Sequence, residues 1–401
     1  MSGLLDTGVT ILLFILVLGG LVLAHEFGHF VTARLAKVRV LEFGIGFPPR
    51  AKVLGRGGVS AADVASYKAR RAEAIERAQG DPEKLESILE SPEEPSGTLY
   101  TLHWLPIGGF VKLEDEDGGG SEDPRSFGRA RLPVKLVILA AGVLMNLLVS
   151  FVIFTGIAMV GEPALGVQFT EVVAGSPAAG AGLQSGDTLT SINGVQYSVF
   201  DQQFPTDGLR ALAGQTVVLG ILHADGSTED VTVTLRVPTS PDQGALGITG
   251  LKGAQVGNIN YAPGEAVAIG AKRTAEAFSM ILDGLGKIGQ SIISNPTAAP
   301  PAAGPVGIAV QLGETLKTLG PLYVLYLAGI LSANLALVNV LPFPPLDGGR
   351  MLVLVLKALP GGRRISLRAE QMTYAIGFVI LFGFMIWVTV FDVIRQVGGT
   401  P

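Results

Sequence analysis

Eighteen residues without a charge separate Asp6 from His25, and they lead into His25-Glu26-Phe27-Gly28-His29. An apolar run of that length reads as a membrane-spanning helix. Hydrocarbon offers no partner for backbone N–H and C=O groups, so a span must satisfy them internally. On a helix, residues four apart share a face. His25 and His29 therefore present two imidazoles to one point, and Glu26 lies beside them as a candidate base. Two such imidazoles can hold one Zn²⁺. Ionisable groups inside a span are expensive, and their presence points to function. The remaining chain must then supply a third ligand and routes for substrate and water.

Only 16% of the 401 residues are charged, against roughly 25% in soluble domains. The composition indicates a membrane protein with some soluble mass attached. The net charge of −5 argues against a nucleic-acid partner. The absence of cysteine excludes disulfides, thiolate catalysis and thiolate zinc sites. The N-terminus lacks the early Lys or Arg and the cleavage site of a secretory signal peptide.

Four spans are expected, within 1–36, 132–160, 319–347 and 370–394. Arg34, Lys37 and Arg39 follow the first, Arg129, Arg131 and Lys135 border the second, and Lys357, Arg363 and Arg364 separate the last two. By the positive-inside rule these flanks are cytoplasmic. Both termini and the stretch after the second span are then extracytoplasmic, and the His pair lies toward the cytoplasmic side.

The loop 37–131 contains three kinds of sequence. Leu41 to Pro49 is rich in Gly and Pro and apolar, and its part from Phe43 to Pro49 is a candidate route for water. Residues 61–94 turn to Ala, Glu, Arg and Lys and read as a solvated helical insertion. Residues 99–113 hold two β-prone runs around Pro106-Ile107-Gly108, which predicts a membrane-associated β-hairpin. A strand edge there could pair with an extended substrate through backbone hydrogen bonds. His103 is expected on the hairpin surface.

Residues 161–240 alternate like short strands with turns at Gly186-Asp187, Asn193-Gly194 and Asp225-Gly226. From Gly175 to Gly194 this inserted α+β module resembles a PDZ domain of the bacterial, protease-associated type. That resemblance implies a groove beside Leu165, Gly166, Val167 and Gln168, where a chain end would add as a strand. His223 is expected at the module surface. Residues 262–290 have helical periodicity with interspersed charges, as an amphipathic helix on the membrane surface would.

A zinc site with two His needs at least one further ligand and a position for water. Asp347 offers a carboxylate at the end of the third apolar run, after Pro342, Pro344 and Pro345; the alternative is a helix N-cap for the next segment. Asn339-Val340-Leu341-Pro342-Phe343-Pro344-Pro345-Leu346-Asp347-Gly348 and the HEFGH stretch are together similar to the motifs of the site-2 protease family of intramembrane zinc metalloproteases, closest to the bacterial regulator-of-sigma-E group. Gly108-Gly109-Phe110-Val111-Lys112 and Gly142-Val143-Leu144-Met145-Asn146 add to the resemblance. It implies Zn²⁺ on His25, His29 and Asp347, catalysis by Glu26, and substrate contacts from Asn339, Asn146 and the strand Gly108, Gly109, Phe110 and Val111. The implied substrates are single-span membrane proteins already trimmed by another protease, such as anti-sigma factors or remnant signal peptides, cut within the lipid bilayer of the bacterial cytoplasmic membrane. Two features depart from that group: one PDZ-like module instead of two, and the charged insertion. The rival readings are a PDZ-bearing membrane receptor or scaffold with an inactive metal site, and a membrane-anchored zinc protease acting on soluble substrates.

Overall fold

The computed structural model describes residues 2–57, 72, 97–116, 118, 121, 123–240, 243–294, 302–360 and 365–398. The charged insertion expected over 61–94 falls, except for Ala72, outside the described residues. The chain forms two compact units, one from residues 1–153 and 272–401, the other from 154–271.

The first element is helix α1, Ser2–Leu35. Strands β1, Val40–Gly57, and β2, Thr98–Leu113, follow, then helix α2, Leu132–Val160. Helices α3, Pro263–Ser294, α4, Pro305–Thr318, α5, Pro321–Val340, α6, Asp347–Ala358, and α7, Leu367–Gly398, complete the order. Among the described residues, four helical stretches are long and apolar enough to cross a bilayer: Thr7–Leu35, Leu132–Val160, Pro321–Val340 and Leu367–Gln396. Proline sits in the first turn of α2, α4 and α5, where its missing N–H would be unpaired anyway. Arg34 occupies the last turn of α1, where a cation meets the negative end of the helix dipole. The glycines at 270, 284 and 286 do not interrupt α3, which covers the predicted amphipathic helix as one element.

The third span stops at Val340, earlier than the 319–347 expected. Leu341 is already extended, since Pro342, Pro344 and Pro345 cannot donate to a helix and push the preceding residues out of it. Asp347 opens α6 and its N-cap is Leu346. The N-cap alternative for Asp347 is therefore not what the fold adopts.

The predicted hairpin is also corrected. Residues 98–113 form one bent strand that pairs with β1 instead of closing on itself. Gly108 has φ 78° at the bend, which glycine alone adopts freely. Val40–Phe47 pairs antiparallel with Leu113–Leu105, while Arg50–Gly57 pairs with His103–Thr98. A further series, Glu42 with Leu99 through Ile45 with Leu102, advances in the same direction on both strands. Val40–Phe47 is thus flanked on both sides by legs of β2. A lone hairpin is marginal in water, and the two extra legs supply the missing partners. Phe43 to Pro49, considered as a water route, is paired strand. The bends leave Phe47, Trp104, Leu105 and Ile107 exposed. His103, expected at the surface, is buried; its Nε2 lies 2.9 Å from Thr101 Oγ1 and its ring meets Phe110 edge-on.

The second unit holds a six-stranded sheet in the order β10-β3-β6-β5-β7-β8. Its strands are β3, Glu162–Gln168, β5, Thr188–Ile192, β6, Val195–Ser198, β7, Thr216–Leu222, β8, Thr228–Thr234, and β10, Lys252–Ile259. Two short strands, β4, Glu171–Val172, and β9, Ile248–Thr249, pair separately. Asn193 and Gly194 both have positive φ, the geometry of a two-residue turn between β5 and β6. Phe169, Leu189, Leu219, Ile221, Leu235 and Leu246 fill the core. The sheet runs past the expected limit at 240, because β10 adds beside β3. Its glycines, Gly253 and Gly257, obscure the alternation that marks a strand. This overturns the groove placed on Leu165, Gly166, Val167 and Gln168: β10 occupies one side of these residues, and β5 and β6 the other. No edge is free there for an added strand. His223 is half-buried between Asp187, 3.0 Å from Nδ1, and Glu229. The Asp187 carboxylate raises its proton affinity above the usual imidazole range.

Leu219→Ala should destabilise this unit by about 2–5 kcal/mol, the usual cost of a buried leucine truncation. Hydrogen exchange on the full chain should show faster exchange in β5, β7 and β8, with bound zinc unchanged because His25, His29 and Asp347 belong to the other unit.

Candidate metal centre

Three ligand atoms converge where α1, α2 and the start of α6 meet. His25 Nε2 lies 3.1 Å from His29 Nε2, and Asp347 Oδ2 lies 2.9 Å and 3.2 Å from the two imidazoles. The rings stand nearly perpendicular, with centroids 4.7 Å apart. Both histidines are only 6% exposed. His29 Nδ1 is 2.8 Å from the carbonyl of Ile138. A carbonyl only accepts, so Nδ1 carries the proton and neutral His29 turns a lone pair toward the other two atoms. With the His25 ring in the matching tautomer, three acceptors point at one spot, which suits a cation. Tetrahedral zinc with ligands at about 2.0–2.1 Å has ligand-to-ligand edges of about 3.3 Å, close to those measured here. These residues fit Zn²⁺.

Helix packing creates this convergence. A Cβ at Gly28 would come within 2.5 Å of the Ala141 carbonyl, and one at Gly142 would strike His29 Nε2 and lie 2.7 Å from His25 Cε1. Small residues let membrane helices approach closely. Here they also leave room for the two rings. Ser332 of α5 donates to the Asn146 carbonyl at 2.7 Å, linking the second and third spans.

Glu26 projects from the same turn as the histidines, and its Oε2 accepts from the Val111 N–H at 3.1 Å. Phe30 packs on Phe43 with centroids 4.9 Å apart, and on Tyr100. These rings fasten the sheet to α1, so that the Gly108–Val111 segment runs beside the HEFGH turn. Asn146 is fully buried, with its side chain 3.3 Å from His25 Nδ1. Asn339 is half-buried near the end of α5. The structure therefore brings together His25, Glu26, His29, Asn146, Asp347 and Val111. Residues 165–168 belong to the other unit. Gly142 has no task legible from sequence beyond its spacing of four from Asn146. The roles of Ser332 and the Ile138 carbonyl had no sequence signature.

Gly142→Val should displace the rings and remove most of the bound zinc. Gly20→Ala, on the same apolar helix as the histidines and with open space around the added carbon, should leave it unchanged. Metal analysis of the purified proteins checks both.

Residues 13–59 and 87–384 match peptidase family M50. Over 410 residues, 96% of either chain, the protein is 28% identical to one from Agrobacterium fabrum whose name gives it provisionally as a zinc metalloprotease. It is 27% identical over 439 residues to zinc metalloprotease RasP of Geobacillus kaustophilus, covering 97% of this chain and 99% of the relative. It is 26% identical over 428 residues to the RasP of Shouchella clausii, covering 96% and 98%. The match spans the spans, the sheet and the buried histidines alike: the chain belongs to peptidase family M50, the site-2 proteases, and is a membrane zinc metalloprotease.

Proposed function

We propose that this protease cuts the membrane-embedded segments of single-span proteins, with His25, His29 and Asp347 as zinc ligands and Glu26 as the general base. One observation carries the reading: His25, Glu26 and His29 lie on a helix apolar and long enough to cross a bilayer, and Asp347 meets them from the start of α6. When bound, Zn²⁺ supplies Lewis acidity, which polarises a scissile carbonyl and makes water a nucleophile near neutral pH. Glu26 takes the proton from the attacking water and gives it to the departing amide nitrogen. Asn339, at the end of the third span, contacts the substrate backbone.

A helical substrate must unwind first, because its carbonyls are bonded within the helix. Gly108, Gly109, Phe110 and Val111 then hold the unwound strand by backbone pairing. The pairing pattern supports this use. The leg Gly109–Leu113 bonds to β1 along one side, and the Val111 N–H points away to Glu26.

The positive flanks of the spans support an orientation with the zinc site toward the cytoplasm and the module after the second span outside. The relatives in Geobacillus and Shouchella support a bacterial cytoplasmic membrane. The six-stranded sheet with the short helices Pro177–Gly180 and Pro205–Ala211 suits a PDZ-like module, which would admit substrates already trimmed by another protease, anti-sigma factors or remnant signal peptides among them. Its open edges for a chain end are β10 and β8, the outer strands of the sheet.

Reconstituted with a single-span substrate, Glu26→Gln should lower cleavage by about 10²–10⁴-fold, the usual share of a general base, while keeping its zinc. Asp347→Ala should lose the zinc itself. Cleavage by Glu26→Gln at the unmodified rate would overturn the assigned base.

A further inference from the structure

We infer that Asn146 is a positioning residue for the metal ligand His25, accepting the ring N–H through its side-chain oxygen instead of touching substrate. The inference rests on the zinc-ligand reading above. For His25 to ligate through Nε2, its neutral ring must carry the proton on Nδ1. The atom 3.3 Å from Nδ1 is drawn as the Asn146 amide nitrogen, itself a donor. Two donors cannot bond. In that orientation Asn146 Oδ1 is also buried without a partner. The oxygen and nitrogen of an amide are assigned from their hydrogen bonds. Turning this amide by half a rotation removes both conflicts at once. It places the acceptor on the His25 N–H and the donor NH₂ where the unpartnered oxygen stood. Ser150, one turn further along the same face, has a buried hydroxyl without a partner that can accept.

The arrangement then repeats along α2. His29 donates its Nδ1–H to the Ile138 carbonyl at 2.8 Å. Ile138, Gly142 and Asn146 are spaced by four, so they share one helical face. The first supports His29, the second makes room for both rings, and the third supports His25. A metal-bound histidine ordinarily donates its second N–H to a carboxylate, carbonyl or similar acceptor, which fixes the ring and raises its basicity. The Ser332 hydroxyl on the Asn146 carbonyl holds this turn of α2 in place. Asn146 is fully buried, which suits a support behind the ligand better than a contact with a passing chain.

The test measures zinc affinity of the full chain in detergent by competition with a chelator of known affinity. Asn146→Ala and Asn146→Leu should each weaken zinc binding by about 10–100-fold, as loss of an outer-shell partner does. Asn146→Asp, which keeps the shape and offers only acceptors, should bind zinc as tightly as the unmodified chain or more tightly. Three results overturn the inference: Ala and Leu variants with unmodified affinity, an Asp variant as weak as the Ala variant, or cleavage lost in the Ala variant with zinc affinity intact. The last would return Asn146 to the substrate. An unmodified chain without zinc, or His25→Ala binding zinc normally, would instead overturn the zinc-ligand reading.

Discussion

The rest of the structure depends on how four ionisable groups are accommodated inside an apolar fold. Two imidazoles and the carboxylates of Glu26 and Asp347 lie together among helices apolar and long enough to cross a bilayer. An isolated carboxylate in an apolar medium is strongly disfavoured. Here the acceptors face one another across about 3 Å, an arrangement that a divalent cation stabilises and its absence would not. The demand for convergence explains several otherwise costly features. Residue 142 is glycine because any Cβ would occupy the ring space. The third span ends in three prolines because Asp347 must come from the start of a new helix, which reaches back toward the histidines.

The sheet answers a second constraint. Substrate backbone in a membrane needs partners once its helix opens. A strand fastened to α1 by Phe30, Phe43 and Tyr100 lies beside Glu26, where the proposed function has it supply such partners. Val111 joins the two demands, since its N–H already reaches the Glu26 carboxylate. Unit 154–271 has a core of its own, built from Phe169, Leu219 and their neighbours. The residues of the candidate metal cluster and those of this separate core can therefore vary separately.

Much of this was legible in the sequence for physical reasons. Long uncharged runs can only be spans, and the HEFGH spacing follows from helical geometry, so the spans and the His pair needed no partner information. Asp347 could be proposed because a carboxylate after an apolar run is expensive without a task. What escaped depended on long-range pairing. The Pro106–Gly108 break suggests a turn, but only the fold shows that Val40–Phe47 lies between the two halves of β2. For the same reason β10 was missed and the groove was misplaced on Leu165–Gln168. His103 looked like a surface residue because its burial comes from Glu42, Thr101 and Phe110, two of which pair from β2 and one from β1. The backbone carbonyl that fixes His29 carries no residue-type signal.

The central claim is that one zinc ion sits among His25, His29 and Asp347. X-ray absorption at the zinc edge, on the purified full chain, tests it most directly. The account predicts a four-coordinate site with two imidazole nitrogens at about 2.0–2.1 Å and oxygen ligands at about 2.0–2.2 Å, lost in His29→Ala. A spectrum with no imidazole scattering, or an unchanged one in that variant, would contradict it.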